Sequence, residues 1–281
     1  MYSINCKGKM VKLDMPVVMG IINVTPDSFY KGNIDDDIIF LAEKMLHDGA
    51  AILDIGGQST RPGSAAITVD DELKRVVPVI EKLHNKFPEA IISVDTFQSK
   101  VAAAAVATGA SIVNDISAGN IDAAMIDTVA ALQVPYVCMH MQGTPATMQQ
   151  NPVYTNLIKE VYTFFEKKIT ECKKAGIKDV IIDPGFGFGK TIEHNFQLLQ
   201  NLSEFSKTGK PILAGLSRKS TIYKTLNTTA KDALNGTTVL NTIALLNGAA
   251  ILRVHDVKEA VECITLINAY KKSAAAATTA L

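Results

Sequence analysis

Residues able to hold a charged organic ligand are concentrated at the ends of short apolar segments of this chain. They offer carboxylates, amides, ammonium and guanidinium groups and imidazole. The set that we consider first is Asn23, Asp95, Asn114, Asp183, Lys219, Arg253 and His255. The carboxyl ends of the strands of a parallel barrel meet at one face, so distant segments can form one pocket there. We therefore interpret these residues as parts of a single site.

Two carboxylates and an amide favour a flat polar ring as the ligand. Asp95 and Asp183 each follow an apolar segment, and Asn114 lies at the end of another. Buried carboxylates are costly without partners, and ring N–H groups would supply them. Lys219 could donate to a ring carbonyl. For either aspartate alone, a structural ion pair is the alternative.

The cations favour an anion beside that ring. Arg253 follows four apolar residues, and with His255 it suits a phosphate or pyrophosphate. Arg61 lies at another strand end. Asn23 carries a neutral oxygen, and Mg²⁺ bound to phosphate oxygens needs few protein ligands. Taken alone, Asn23 would be a turn former. His140 has no acidic neighbour in sequence, which favours packing or hydrogen bonding over a role as a base.

The segment 185–191, GFGFGKT, resembles a phosphate-binding loop but fails the pattern. The first glycine of that pattern is replaced by Pro184, which removes a backbone donor. We interpret it as a mobile loop across the barrel mouth. The sequence also has no nucleophile elbow, and none of its four cysteines has an identifiable base. A covalent intermediate is therefore not expected, and we interpret the cysteines as packing residues.

Composition excludes several classes of protein. Lys+Arg and Asp+Glu number 28 each, so no basic excess indicates nucleic acid or a membrane surface as a partner. The amino terminus has no signal-peptide pattern, and no apolar stretch reaches the length of a membrane span. We expect a cytoplasmic protein.

The periodicity predicts an α/β fold, a (β/α)₈ TIM barrel. Continuous apolar segments are typical of parallel strands, and segments of helical period separate them. The predicted strands are 17–24, 51–55, 90–94, 111–116, 135–139, 179–182, 211–216 and 249–254. The predicted helices are 35–48, 69–87, 99–108, 122–132, 154–174, 192–205, 230–247 and 257–272. A doubly wound open sheet is the alternative, but it needs a glycine-rich first turn.

We predict a single barrel domain over 16–272. Residues 1–15 should form a short hairpin that closes its bottom, and 273–281 a frayed tail.

Several motifs of the chain resemble those of the dihydropteroate synthase family. They are MGIINVTPDSF at 19–29, GGQSTRPG at 56–63, SVDT at 93–96, ND at 114–115, IDPGFGFGK at 182–190, GLSRKS at 215–220 and RVHD at 253–256. The first two are specific to this family, and the resemblance covers about residues 15 to 270. Many members have glutamate in place of Gln58, a position that we assign to a loop.

The resemblance implies an activity and a role for each matched residue. The enzyme would join 6-hydroxymethyl-7,8-dihydropterin pyrophosphate to p-aminobenzoate, with Mg²⁺ on Asn23, and would be inhibited by sulfonamides. The implied pterin residues are Asp95, Asn114, Met139, Asp183, Phe188, Gly215 and Lys219. The implied pyrophosphate residues are Asn23, Arg61, Arg253 and His255, and those for p-aminobenzoate are Phe29, Thr60, Pro62 and Ser220. The residues taken as catalytic are Asp27, Arg61, Asp95, Lys219, Arg253 and His255.

The resemblance also implies a homodimer. Two alternatives share the pterin pocket: a pterin-binding methyltransferase domain and a non-catalytic pterin-binding paralogue. The first should lack the motifs at 23–29, 59–63 and 217–220, and the second should have lost Asn23, Lys219 or Arg253; all are present.

Overall fold

The structure is a computed structural model, and it describes residues 2–25, 34–59 and 67–278. Strands β1 (Ser3–Cys6) and β2 (Lys9–Lys12) form an antiparallel hairpin. The hairpin turns at Lys7 and Gly8, both with positive φ. This confirms the predicted amino-terminal hairpin.

Eight further strands form a parallel sheet. They are β3 (Val17–Asn23), β4 (Ile52–Gly56), β5 (Ile91–Asp95), β6 (Ile112–Asp115), β7 (Tyr136–Met139), β8 (Val180–Asp183), β9 (Leu213–Ala214) and β10 (Ile251–Val254). Their order is β8-β7-β6-β5-β4-β3-β10-β9, and a parallel bridge between Ile182 and Ile212 joins the two outermost strands. The sheet thus closes into the predicted barrel, which excludes the doubly wound alternative.

Helices cover the outside of the barrel. They are α1 (Ile34–His47), α2 (Val69–Lys86), α3 (Ser99–Ala107), α4 (Met125–Leu132), α5 (Leu157–Ala175), α6 (Ile192–Gln200), α7 (Ser220–Thr225), α8 (Leu234–Leu246) and α9 (Val257–Thr278). Among the described residues, no helix has the length and apolar character needed to cross a membrane.

The helices differ from the predictions in three places. The predicted helix 192–205 is divided at Asn201 into α6 and a 3-10 helix, Leu202–Thr208. Helix α7 was not predicted, because six residues are too few to show a helical period. Helix α9 continues to Thr278, six residues into the supposed frayed tail, since its alanines have the highest helix propensity.

The barrel interior is built in layers that follow the two-residue period of the strands. The bottom of the barrel holds an apolar cluster that includes one residue from each strand: Met19, Ile52, Ile91, Ile112, Val137, Ile181, Leu213 and Ile251. Ile4, Cys6 and Leu13 pack against this layer, so the hairpin closes the bottom as predicted. Two residues further along each strand lies the next layer: Ile21, Asp54, Ser93, Asn114, Met139, Asp183, Gly215 and Arg253. This layer is largely polar, and it places the candidate site at the carboxyl end of the barrel.

Candidate active site

A network of charged side chains crosses the barrel interior. Arg253 donates from Nε to Asp54 Oδ2 at 2.6 Å and from Nη2 to Asp95 Oδ2 at 2.5 Å. Asn114 Nδ2 donates to the same oxygen of Asp54 at 3.0 Å. The guanidinium of Arg253 and the carboxylate of Asp54 thereby join four strands, β4, β5, β6 and β10.

Asp54 is the site residue that sequence reasoning missed. It lies inside an apolar strand, whereas we had sought polar residues at strand ends. The available signal was the two-residue period, because Asp54 follows the inward-facing Ile52. Its register partner on β5 is Ser93. Asp54 Oδ1 and Ser93 Oγ are both buried and have no hydrogen-bond partner within the part of the chain that the structure describes.

A second group of polar residues lies at the ends of β8 and β9. Asp183 ends β8, and its Oδ1 accepts the backbone N–H of Gly185 at 2.7 Å. Lys219 precedes α7 and donates from Nζ to the carbonyl of Phe186 at 2.5 Å. The same ammonium lies 4.9 Å from the centroid of the Phe188 ring. Lys219 therefore holds the loop after β8 over the barrel mouth.

Burial dominates the electrostatics of these groups. It raises the pKa of Asp95 to about 7 although the charge of Arg253 acts in the opposite direction. It also raises the pKa of Asp183, against the charge of Lys219. The pKa of Lys219 is lowered by burial to about 8, against the charge of Asp183. The charge of Arg253 lowers the pKa of all three groups, so the ionisation of each depends on the same guanidinium.

Apolar side chains form one wall of the mouth. Met139 and Phe188, both predicted ring contacts, belong to a buried cluster completed by Phe97, Ile116 and Met148. Gly215 lies close to both cations: a Cβ there would be 3.6 Å from Lys219 Nζ and 3.9 Å from Arg253 Cβ. The structure thus brings all seven predicted pterin residues to the rim or interior of one barrel end.

The remaining predicted residues are divided between the rim and the undescribed segments. Asn23 ends β3 opposite Gly56 of β4. His255 follows β10, and its backbone N–H donates to Ser217 Oγ at 3.2 Å. Ser220 begins α7. The other predicted residues, Asp27, Phe29, Thr60, Arg61 and Pro62, lie outside the described residues.

The loop 185–190 is not a phosphate loop. Lys190 is only 2% exposed, and its Nζ contacts His140 Nδ1 at 3.0 Å instead of facing the barrel mouth. Thr191 caps α6 by accepting the N–H of His194. His140 packs edge-on against Phe164, with ring centroids 4.9 Å apart, and burial places its pKa well below the ordinary value. The packing and hydrogen-bonding interpretation of His140 is confirmed.

The fold and the polar layer together define a class of protein, a barrel enzyme that binds a polar ring. The family model for the pterin binding enzymes matches residues 19–255, and the chain belongs to this family. It is 43% identical to the dihydropteroate synthase of Escherichia coli (strain K12) over 268 residues, with 94% of each chain covered. It is 46% identical to that of Haemophilus influenzae over 254 residues, covering 89% of this chain and 92% of the relative.

Solved structures give the same result. The dihydropteroate synthase of Yersinia pestis, in complex with a sulfonamide drug, superposes with a TM-score of 0.92 at 41% identity. That match covers 96% of this chain and 100% of the other. The enzyme of Xanthomonas albilineans with 4-aminobenzoic acid gives a TM-score of 0.90 at 40% identity, covering 96% and 98%.

Proposed function

We propose that this protein is a dihydropteroate synthase, a transferase that condenses 6-hydroxymethyl-7,8-dihydropterin pyrophosphate with p-aminobenzoate. The products are 7,8-dihydropteroate and pyrophosphate. The observation that carries the proposal is the polar layer around Arg253, in a chain that is 38–46% identical to synthases over most of its length. Solved relatives of this chain hold 4-aminobenzoic acid and 7,8-dihydropteroate, which are a substrate and the product of this reaction.

The polar layer supplies partners for a pterin. Asp183 offers acceptors to the exocyclic amine and ring N–H, and Lys219 offers a donor to the ring carbonyl. A ring at this depth also brings polar atoms near Asp54 Oδ1 and Ser93 Oγ, which are otherwise costly to bury. Met139 and Phe188 would contact its faces, with Asp95, Asn114 and Gly215 around its edge.

The reaction then needs no protein nucleophile. The bond between the exocyclic carbon and the pyrophosphate oxygen breaks, and the electron-rich dihydropterin stabilises the cation that forms. Asp95, beside the ring nitrogens, stabilises that charge. The amine of p-aminobenzoate forms the new C–N bond and loses a proton. Nε and Nη2 of Arg253 are occupied by carboxylates, which leaves Nη1, with His255 and Arg61, for the departing pyrophosphate.

We propose Mg²⁺ as the cofactor, with Asn23 as its protein ligand. No group of three or more His, Cys, Asp or Glu side chains among the described residues could hold a metal ion. The neutral amide oxygen of Asn23, at the end of β3, suits an ion that is held largely by substrate oxygens and water, which is common for Mg²⁺. When bound, the ion would neutralise charge on the leaving pyrophosphate.

We also propose a cytoplasmic homodimer. Val239, Ile243 and Leu246 are exposed on one face of α8, and Phe196 is exposed on α6; both helices pack against α7. An apolar helix face of this kind fits a second copy of the chain. Sedimentation should show a dimer, and Ile243→Glu should shift it to monomer. A monomeric wild-type protein at micromolar concentration would refute this assembly.

The test of the function is product formation. Purified protein, Mg²⁺, pterin pyrophosphate and p-aminobenzoate should release pyrophosphate and form dihydropteroate in equal amounts, and release should stop without p-aminobenzoate. Sulfonamides should compete with p-aminobenzoate. Methyl transfer without pyrophosphate release would favour the methyltransferase alternative. Pterin binding without turnover would favour the non-catalytic paralogue.

A further inference from the structure

Lys190 is a buried cation with no place in the reaction described above. Its side chain is 2% exposed, and Nζ has three acceptors: His140 Nδ1 at 3.0 Å, the carbonyl of Phe188 at 3.0 Å and the carbonyl of His140 at 3.3 Å. None of these acceptors is a carboxylate. Burial lowers the pKa of Lys190 to about 7, against the charge of Asp183, so holding an ammonium here on three neutral acceptors is costly and calls for a reason beyond stability.

The glycines of this loop explain why those acceptors are buried. Gly185 and Gly189 have positive φ, and a Cβ on Gly185 would lie 1.9 Å from the carbonyl oxygen of His140. On Gly189 it would lie 2.5 Å from that of Gln142. The loop therefore lies directly on the backbone of 140–142. Carbonyl groups at this contact lose access to water. The ammonium of Lys190 donates to two carbonyl groups here, those of His140 and Phe188.

The same contacts connect Lys190 to the pocket wall. The carbonyl that Lys190 binds belongs to Phe188, whose ring packs in the cluster with Met139. On the opposite side of the loop, Lys219 binds the carbonyl of Phe186. The loop is thus held at two alternate residues by two ammonium groups. It is more firmly anchored than the mobile loop that we expected from the sequence.

We propose that Lys190 is a positioning residue for pterin binding. By joining the carbonyl of Phe188 to the end of β7 at His140, it sets the Phe188 ring against the bound pterin. The role rests on the proposed function, because it presupposes a ring in contact with Phe188. Lys190 itself does not touch the ligand.

In the test, the intact protein is titrated with 6-hydroxymethylpterin, and the dissociation constant is measured from the fluorescence of the pterin. Lys190→Met keeps the length of the side chain and removes its donors, and we expect binding to weaken about tenfold, equivalent to about 1.4 kcal/mol. The KM for pterin pyrophosphate should rise similarly, with kcat and the KM for p-aminobenzoate close to wild type. The matched control is Gln149→Met. Gln149 Nε2 also donates to a carbonyl of this loop, that of Gly187 at 2.6 Å, but it is exposed, so water can replace it.

A double-mutant cycle tests the route of the effect. If Lys190 acts through Phe188, then Lys190→Met should have little further effect on pterin affinity in a Phe188→Ala background. The proposal would be overturned if the loss of pterin affinity in the double variant were the product of the losses in the two single variants. Unchanged pterin affinity in Lys190→Met would also overturn it. If Lys190→Met does not fold, judged by its thermal midpoint, Lys190→Gln replaces it in the cycle, since its amide is uncharged, one atom shorter and has too few N–H bonds to make all three contacts. A wild-type protein that binds no pterin would refute the proposed function itself, a result distinct from either of these.

Discussion

Arg253 on β10 donates to Asp54 on β4 at 2.6 Å, across the intervening strand β3. This bond is central to the site, because Asp54 also accepts from Asn114 and Arg253 also binds Asp95. A buried carboxylate thereby orders a cation, an amide and, through the cation, a second carboxylate. Removing one partner from such a buried pair leaves an uncompensated charge, at a cost of about 3–5 kcal/mol.

The first prediction concerns Asp54. Asp54→Asn keeps the side-chain shape but removes the charge that pairs with Arg253, so the guanidinium should be held less firmly. We expect a lower thermal midpoint and a weaker pterin affinity, by tenfold or more if about 1.4 kcal/mol of ordering is lost. Calorimetry and pterin titration measure the two effects.

Asp115→Asn is the matched control for that experiment. Asp115 is also a fully buried aspartate of a barrel strand, but its hydrogen-bond donors are Tyr136 Oη, at 2.7 Å, and the turn 117–119 instead of Arg253 or Asn114. It should lower the thermal midpoint without changing pterin affinity. Equal pterin losses in both variants would mean that Asp54 acts only through stability.

The second prediction concerns Asp183 as the acceptor for the pterin amine. Asp183→Ala should weaken pterin binding by about 1–3 kcal/mol for each ring donor left unpaired. Asp179→Ala provides the control at the other end of the same strand, where the carboxylate accepts the N–H of Asn5 in the hairpin. Titration calorimetry should show normal affinity for that control. Normal affinity in Asp183→Ala would place the pterin elsewhere.

The third prediction concerns pH. Burial raises the pKa of Asp95 to about 7 and lowers that of Lys219 to about 8. The proposed mechanism uses Asp95 as a carboxylate and Lys219 as an ammonium. Activity should therefore rise as Asp95 loses its proton near pH 7 and fall as Lys219 loses its proton near pH 8. We expect a bell-shaped profile of kcat/KM for pterin pyrophosphate.

Variants assign the two limbs of that profile. The residual activity of Asp95→Asn should lack the acid limb, and that of Lys219→Gln should lack the alkaline limb. Because the two groups interact, the remaining limb should also move in each variant. An alkaline limb that is unchanged in Lys219→Gln would belong to another group.

The fourth prediction concerns the metal. With Asn23 as the protein ligand, Mg²⁺ alone should bind weakly, and inorganic pyrophosphate should strengthen its binding. Titration calorimetry with and without pyrophosphate measures this difference. Asn23→Ala should raise the Mg²⁺ concentration needed for half-maximal activity while pterin affinity stays the same. Tight binding of Mg²⁺ to the protein alone would reveal a metal site that this assignment omits.

Several residues show how far sequence reasoning reaches in this chain. Asp95, Asn114 and Asp183 were predicted as neighbours because each lies at or beside the end of an apolar strand, and the structure places all three at one end of the barrel. Asp54 was missed because its strand continues beyond it. Gln58 was assigned to a loop and does lie in the bend that follows β4, but its burial, with only 9% exposed, was not foreseen. Burial depends on residues distant in sequence that pack around a position, and no local pattern records them.

The order of strands, the polar residues that end them and the family motifs are local properties, so the sequence by itself determined the barrel and the class of ligand. The pairing of charges was decided only by the tertiary structure. Arg253 is 199 residues from Asp54, and Lys190 is 50 from His140. The pairing of each cation with its acceptor depends on the register of the eight strands and on the contact between the loop 185–190 and residues 140–142. Barrel closure sets both, and it also sets the burial that shifts the pKa values of these groups.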